Sequence, residues 1–282
     1  MSRRAADDGG AWIALAALLA VGAVLVTAIA AEAPGPLGGA AISTALDWQP
    51  ALGLREPWRL WSAAWVHLSG AHLAVNLAGL AVITGIGWRA RAGAATAAAW
   101  CLAWPLTQAF MLVAGAGLAA VMPHYGGLSG VLHAGVVVLG LALAWPRAQV
   151  VARARGAVVA HTGFAVTHAS VVEPSRITEG PWAMTGLEES LVATAIPEST
   201  LEAPPPATAP AQAVRDRWIG AAIVAGTLAK VVFEAPWLLA PRPSAELGIA
   251  VAPLAHACGV AAGALAWLAV RAMQRRPTDA RG

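Results

Sequence analysis

Long apolar runs constrain this chain more than any other feature of its sequence. The hydrocarbon core of a membrane is about 30 Å thick, and an α-helix needs roughly 20 apolar residues to cross it. Six runs meet or approach that length, at about 11–31, 66–87, 93–115, 128–146, 217–238 and 247–270. Lipid cannot satisfy open backbone groups, so these runs are expected to be helices. With 58% hydrophobic and 12% charged residues, the chain is predicted to be an all-α membrane protein.

The first run also has to be compared with a secretory signal peptide, because Ser2-Arg3-Arg4 precedes it. The apolar core of a signal peptide has about 7–15 residues. The run from Ala11 to Ala31 is longer, at about 20 residues, and therefore favours a retained first span.

Arginines cluster on one side of the predicted six-span alternation. The five clusters are Arg3/Arg4, Arg89/Arg91, Arg147/Arg153/Arg155, Arg215/Arg217 and Arg271/Arg275/Arg276. By the positive-inside rule this side is cytoplasmic. Both termini, including the tail 271–282, are then predicted to be cytoplasmic, and segment 32–65 extracytoplasmic.

The two long segments between spans have different compositions. Segment 32–65 contains Trp48, Trp58, Trp61 and Trp65, which favour the headgroup level, so we expect it to lie in the interface and to be partly helical. Segment 147–216 is rich in Ala, Thr, Ser, Glu and Pro, and it is predicted to be a largely disordered cytoplasmic loop. The alternative is that this segment forms a compact binding module, and its weak hydrophobic periodicity disfavours that interpretation.

Three polar clusters converge at one depth. Polar groups within spans are costly and are therefore functional candidates. Spans two and four begin at the extracytoplasmic face, and His256 lies about one third of the way down span six from that face. The clusters are His67-Leu-Ser-Gly-Ala-His72-Leu-Ala-Val-Asn76, Tyr125-Gly-Gly-Leu-Ser129-Gly130-Val-Leu-His133 and His256-Ala-Cys-Gly259-Val-Ala-Ala-Gly263. A nucleophile, a base and an oxyanion site need such a grouping.

Histidine spacing separates two interpretations of the first cluster. His72 and Asn76 are four residues apart, so on a helix they aim donors at one point, whereas His67 is five residues from His72 and is not predicted to share that face. A helical two-histidine metal site favours a spacing of three or four, and no carboxylate or thiolate lies nearby in sequence. We therefore predict no metal and no other cofactor.

Small residues allow a second interpretation of the other two clusters. Gly127 and Gly130 permit a tight turn that places the Ser129 hydroxyl at a helix N-terminus, yet Ser flanked by Gly is often only a packing site. Gly259 and Gly263 form a GxxxG pattern, which is most simply a close helix contact. Cys101 and Cys258 are predicted to be small buried hydrophobes.

In this order, these residues resemble the rhomboid family of intramembrane serine proteases over all six predicted spans. The matching elements are Trp58-Arg59, His67 with His72 and Asn76, Gly127-Leu-Ser129-Gly130, and His256 with Gly259 and Gly263. The resemblance implies a six-transmembrane-helix rhomboid-like bundle, in which 1–146 carries spans one to four and 217–270 carries spans five and six.

The resemblance also implies roles for individual residues. Ser129 would be the nucleophile and His256 the general base, with an oxyanion hole from His72, Asn76 and the Ser129 N–H. The family's dyad needs no carboxylate, and none is expected near His256. His133 stands where rhomboids often carry an aromatic residue, so its ring is expected to stack on the catalytic imidazole.

A narrower resemblance is to rhombosortases, a bacterial branch that trims glycine-rich C-terminal sorting signals. It is carried by Gly-Leu-Ser-Gly-Val-Leu-His and by Lys230 and Glu234 in span five, and it implies a bacterial inner-membrane location. Lys230 and Glu234 are four residues apart on one helix face. Two interpretations stay open, a mutually neutralised pair or a brace that holds span five for substrate entry.

The predicted function is cleavage of transmembrane segments near the extracytoplasmic face. The expected partners are transmembrane protein substrates and the bilayer, and not nucleic acid. A catalytically silent rhomboid-like protein that binds membrane clients is the alternative. A small transporter or channel would predict polar residues at mid-depth in several spans, whereas here they lie near one face.

Overall fold

A computed structural model of the protein describes residues 9–35, 37–114, 117–146 and 209–275, and within them the chain is mostly helical. These ranges contain nine α-helices and one two-stranded antiparallel sheet. The elements are α1 (Gly10–Glu32), α2 (Gly38–Leu46), α3 (Arg59–Ser62), α4 (Gly70–Arg89), α5 (Ala94–Met111), α6 (Gly117–Val121), α7 (Ser129–Ala144), α8 (Ala209–Phe233), β1 (Arg242–Ser244), β2 (Ile249–Val251) and α9 (Pro253–Arg275).

Four helical segments of the described chain are long and apolar enough to cross a membrane. They are Gly10–Glu32, Gly70–Arg89, Gln212–Leu238 and Pro253–Arg275. The other two predicted runs also form helices, α5 and α7, but α7 has only 16 residues. At 1.5 Å per residue it is about 24 Å long, less than the thickness of the hydrocarbon core.

The boundaries of the second long segment differ from the prediction. Helix α8 begins at Ala209 and not at 217, so the last residues assigned to the loop are helical. Residues 147–208 lie outside the described part, and with them most of the predicted disordered loop and its binding-module alternative. Helix α9 continues to Arg275, into the predicted tail.

Helices α5, α7 and α9 pack closely against one another through small residues. A Cβ atom on Gly259 would overlap the carbonyl oxygen of Gly130, and one on Gly263 would lie 2.6 Å from the Ala134 oxygen. This is the close helix contact that the GxxxG pattern predicts. Trp100 of α5 donates to the Val131 oxygen of α7 at 2.9 Å. We call α5, α7 and α9 the inner helices.

The segment between α1 and α4 is folded back onto the inner helices. Trp48 is 1% exposed and pairs with Tyr125 in an antiparallel bridge, with N–O distances of 2.8 and 2.9 Å. The indole of Trp48 is therefore buried within the protein, and the placement of this segment in the membrane interface stays a prediction. Trp58 and Trp61 remain exposed, at 52% and 40%.

A short hairpin joins α8 to α9, an addition to the predicted all-helical fold. Strands β1 and β2 pair with Arg242 opposite Val251 and Ser244 opposite Ile249. Gly248, with φ of 64°, allows the turn. Ser69, at the start of α4, donates its hydroxyl to the Leu247 oxygen of this turn at 2.5 Å.

Candidate active site

A cavity of about 750 Å³ lies between α4, α7, α8 and the hairpin. Its polar lining includes side chains that the sequence singles out, and the remainder is largely apolar. The polar lining residues are His72, His124, Tyr125, Ser129, His133, Thr227, Lys230, Glu234, His256 and Asn76. The three polar clusters of the sequence thus meet at one place.

Ser129 is the first residue of α7 and is half-buried at the cavity wall. The first N–H groups of a helix have no intrahelical acceptor, so they concentrate donors beside its side chain. The Tyr125 hydroxyl lies close to Ser129 and donates to the Gly127 oxygen at 3.4 Å. Tyr125 is buried, and its role beside the serine is one that its sequence position alone does not indicate.

Gly127 sets the turn before Ser129. Its φ of 127° lies in the region that favours glycine, and a Cβ atom there would lie 2.6 Å from Cε1 of His72. Its N–H donates to the Ala63 oxygen at 2.9 Å, which fastens the turn to segment 32–65, called the first loop from here on. Any other residue at 127 would push the turn away from the His72 ring.

His72 and Asn76 lie on one face of α4 and both line the cavity. Ser69 caps this helix by accepting the His72 N–H at 3.0 Å. Among the residues that the structure describes, the buried Nδ1 of His72 has no hydrogen-bond partner, and the other end of the ring faces Gly127. A buried ring nitrogen without a partner is costly and marks a candidate functional group.

His67 joins this group, which the spacing argument did not predict. Helix α4 begins at Gly70, so His67 lies in the preceding loop and is not bound by helical spacing. Its ring centroid is 4.8 Å from that of His72, and its Nε2 is 3.1 Å from the Asn76 amide nitrogen. Since Nδ1 lies 3.2 Å from the Trp65 oxygen, Nδ1 carries the proton and Nε2 accepts from Asn76.

The neutral state of His67 suits this arrangement. Burial lowers the pKa of His67 below its usual value of 6.5, although the hydrogen bond to the Trp65 oxygen opposes the shift. A neutral imidazole keeps the lone pair that Asn76 requires. The second N–H of the Asn76 amide then remains available, as is expected of an oxyanion donor.

His256 lies near the start of α9 and is 4% exposed. Its ring stacks on that of His133, with centroids 4.1 Å apart and planes 17° from parallel. This is the stacking that the sequence predicts. His133 is held in turn, because its Nδ1 donates to the Ser129 oxygen at 2.6 Å. The stack therefore ties the imidazole to the first turn of α7.

A carboxylate contacts His256, contrary to the prediction that none lies nearby. The Glu234 Oε2 atom is 2.7 Å from His256 Nδ1, and Oε1 is 2.5 Å from Lys230 Nζ. The turn that follows α8 brings Glu234 to the start of α9, so residues 22 apart in sequence meet. Helical spacing correctly pairs Lys230 with Glu234, but it carries no information on this third contact.

Ser129 and His256 line the same cavity without a mutual hydrogen bond among the described residues. Catalytic hydrogen bonds are often long or misaligned in unliganded sites and tighten when substrate binds. The arrangement holds a hydroxyl, an imidazole and amide donors around one space.

The first loop braces the site through a buried charged network. Arg59 donates to the Thr44 and Asp47 backbone oxygens, each at 2.7 Å, and to Asp47 Oδ1 at 3.2 Å. Asp47 also contacts His124 at 2.7 Å, next to Tyr125. Burial raises the pKa of Asp47, and its polar partners oppose that shift. The sequence places Arg59 in a motif, but it does not indicate which residues Arg59 contacts.

Neither protein-family models nor curated proteins match this chain. Fold and site together define a mostly helical protein with four long apolar helices and a largely apolar cavity that holds a group of polar side chains at one end of α7.

Proposed function

We propose that this chain is an intramembrane serine endopeptidase of the rhomboid type, with six membrane-spanning helices. The observation that carries the proposal is the meeting of Ser129, His256, His72 and Asn76, from three helices, around one cavity. These residues supply a nucleophile, a general base and oxyanion donors.

The short α7 supports a site below the membrane surface. A helix of about 24 Å cannot cover a core of about 30 Å, so Ser129 at its N-terminus would lie beneath the extracytoplasmic headgroups. The polar side chains that line the cavity then give water a path to the serine. Hydrolysis within a membrane requires such a path.

The reaction would proceed in two steps. Ser129 Oγ attacks the scissile carbonyl as His256 Nε2 takes its proton, and donors from His72, Asn76 and the Ser129 N–H hold the oxyanion. The C–N bond breaks when Nε2 returns the proton to the leaving amine. Water, activated by the same nitrogen, then hydrolyses the acyl-enzyme and regenerates Ser129.

The cavity walls favour an apolar substrate. Val75 and Val82 of α4 face the cavity, as do Val136 of α7 and Thr227 of α8. A transmembrane segment that entered between α4 and α8 would meet apolar walls and reach Ser129 after unwinding locally. Substrates with small or helix-breaking residues near the cut would unwind most readily.

We place the chain in a bacterial inner membrane, with both termini cytoplasmic and the cavity toward the outside. Described arginines support this orientation. Arg89 ends α4, Arg217 lies near the start of α8, and Arg271 and Arg275 end α9, all opposite the cavity. Arg271 donates to the Trp145 oxygen beyond α7, which joins the end of α9 to the end of α7.

Cleavage of single-span substrates in proteoliposomes tests the proposal. The panel includes one substrate with a glycine-rich C-terminal signal, which tests the rhombosortase-like branch. Wild type should cleave, and Ser129→Ala and His256→Ala should lose at least about 10³-fold in rate. Ser43→Ala, on α2, is the matched control and should keep full activity. Equal cleavage by wild type and Ser129→Ala would overturn the proposal.

A second candidate is a client-binding protein that does not cleave. The lack of a hydrogen bond between the Ser129 hydroxyl and His256 among the described residues favours it. Under this alternative the same panel would be captured by the wild type and both variants with equal affinity, and no substrate would be cut.

A further inference from the structure

Glu234 sits between a base and a cation at the edge of the cavity. Its two carboxylate oxygens are divided, with Oε2 at 2.7 Å from His256 Nδ1 and Oε1 at 2.5 Å from Lys230 Nζ. The His256 side chain is 5% exposed and that of Glu234 is 22% exposed. The Lys230 side chain, at 50%, reaches outward. The carboxylate is therefore shielded on the imidazole side and open on the lysine side.

The hydrogen bond to Glu234 determines which ring nitrogen of His256 is free. An ionised carboxylate only accepts, so Nδ1 must carry the proton. Nε2 then holds the lone pair, and it has no hydrogen-bond partner among the described residues. Because His256 and Ser129 line the same cavity, this is the nitrogen that can face the serine hydroxyl.

The imidazole is held in two ways. The His133 ring lies against its face, 4.1 Å away between centroids, and fixes the plane of the ring. The stacking contact does not prevent the His256 ring from rotating within its own plane. The hydrogen bond from Nδ1 to Glu234 prevents that rotation. Lys230 holds the second carboxylate oxygen, so Glu234 is itself oriented. A neutralised pair would need only the Lys230 contact, and the additional bond to His256 is what a positioning role requires.

We propose that Glu234 is a positioning residue, which holds the His256 tautomer and turns Nε2 toward Ser129, so that the site is a Ser–His–Glu triad. This rests on the proposed peptidase function. When Nε2 takes the Ser129 proton, the imidazolium that forms is stabilised by the adjacent carboxylate, and the Nδ1 proton stays on His256. Glu234 is not protonated in the cycle.

The proposal links span five to the chemistry. Glu234 directly follows α8, a wall of the cavity, whereas His256 and Ser129 belong to the inner helices. Displacement of the end of α8 would break the Glu234–His256 bond. The base would then lose its orientation whenever this wall is open, and recover it when the wall closes on the substrate.

The test uses full-length protein in proteoliposomes with the single-span substrate that wild type cuts. Glu234→Gln should lower kcat by about 10²–10⁴-fold with little change in KM, because an amide N–H can donate to Nδ1 and force the proton onto Nε2. Labelling of Ser129 by a fluorophosphonate should fall in parallel. Glu234→Asp, which keeps the carboxylate, should recover part of the rate. Glu246→Gln, on the exposed hairpin turn, is the matched control and should match wild type.

A spectroscopic measurement separates positioning from a merely structural effect. In ¹⁵N-histidine-labelled protein, one protonated Nδ1 signal should disappear in Glu234→Gln and return in Glu234→Asp, with unchanged thermal unfolding midpoints. Lys230→Met should keep that signal and lose much less activity.

Two outcomes overturn the proposal and differ from each other. If wild type cleaves in a Ser129-dependent manner and Glu234→Gln keeps its rate and its Nδ1 signal, the triad is wrong and the peptidase stands. If wild type neither cleaves any substrate of the panel nor labels with fluorophosphonate, both proposals fall.

Discussion

The inner helices and the helices that wall the cavity differ in how tightly they are packed. In an apolar 18-residue stretch of α9, 44% of the residues are buried. The corresponding fraction is 28% in α4 and 17% in the segment Gln212–Leu238, which includes most of α8. Ser129 and His256 belong to the packed set, and the apolar walls belong to the looser one. Regions with few buried contacts open at lower free energy than cores. The walls can therefore move while Ser129 and His256 stay in place.

The difference also shows where the two regions are joined. On the packed side, Gly259 lies against Gly130, and Gly127 is tied to Ala63. Across the cavity, the described contacts that fasten the looser elements include the Glu234–His256 bond and the bond from Ser69 to Leu247. Near its start α8 is packed on α7, since a Cβ atom on Gly220 would lie 2.5 Å from the Gly140 oxygen, whereas near its end a polar bond joins it to His256.

The largest expected effect comes from breaking the packing of the inner helices. Gly259→Val would place a side chain against the backbone of Gly130, which no rotamer change can relieve. We expect α9 to separate from α7, with loss of Ser129 labelling and a thermal unfolding midpoint lowered by 10 °C or more, an order-of-magnitude figure. Thermal unfolding in detergent and fluorophosphonate labelling measure the two effects.

Gly226→Val in α8 is the matched control for this change. A Cβ atom on Gly226 meets no atom within 4 Å, so the larger side chain would point into open space. The unfolding midpoint should stay within about 2 °C of wild type. If both valine variants were equally destabilised, the contrast between packed and loose helices would be wrong.

A smaller effect is expected from the brace in the first loop. Arg59→Met removes the donors that satisfy the Thr44 and Asp47 oxygens and leaves Asp47 buried without its arginine. Loss of one partner of a buried pair lowers the free energy of unfolding by about 3–5 kcal/mol. Because Asp47 keeps its contact with His124, we expect a loss of about 3 kcal/mol. Chemical denaturation measures the change.

Arg55→Met is the control for charge alone. Arg55 is exposed on the same loop, and its substitution should change the free energy of unfolding by less than about 0.5 kcal/mol. Equal losses in the two variants would mean that net charge, and not the Arg59 network, stabilises this loop.

Part of this site is predictable from the sequence because its determinants are local. The four-residue spacing of His72 and Asn76 places both side chains on one face of α4, and the glycine at 127 matches a backbone angle that other residues avoid. Apolar runs likewise indicate each long helix, although α8 begins at Ala209, where a Pro- and Ala-rich sequence gives no hydropathy signal.

The unpredicted part depends on contacts between distant segments. Glu234 reaches His256 because α8 and α9 converge, and His67 reaches Asn76 because α4 begins three residues after it. Trp48 is buried and pairs with Tyr125, although tryptophan is a residue type that favours the membrane interface. Periodicity describes one helix at a time, so it cannot show which helix ends meet.

The smallest expected effect concerns the bond that fastens the hairpin. The Ser69 hydroxyl has two roles, since it accepts the His72 N–H as the cap of α4 and donates to the Leu247 oxygen. Ser69→Asp keeps the capping acceptor and loses the donor, whereas Ser69→Thr keeps both. One hydrogen bond contributes about 1 kcal/mol, so amide hydrogen exchange in 242–251 should quicken about fivefold in Ser69→Asp alone. Faster exchange in α4 as well would show that the cap was lost. Unchanged exchange in the hairpin would mean that Ser69 does not restrain it, and that the hairpin belongs with the packed side of the molecule.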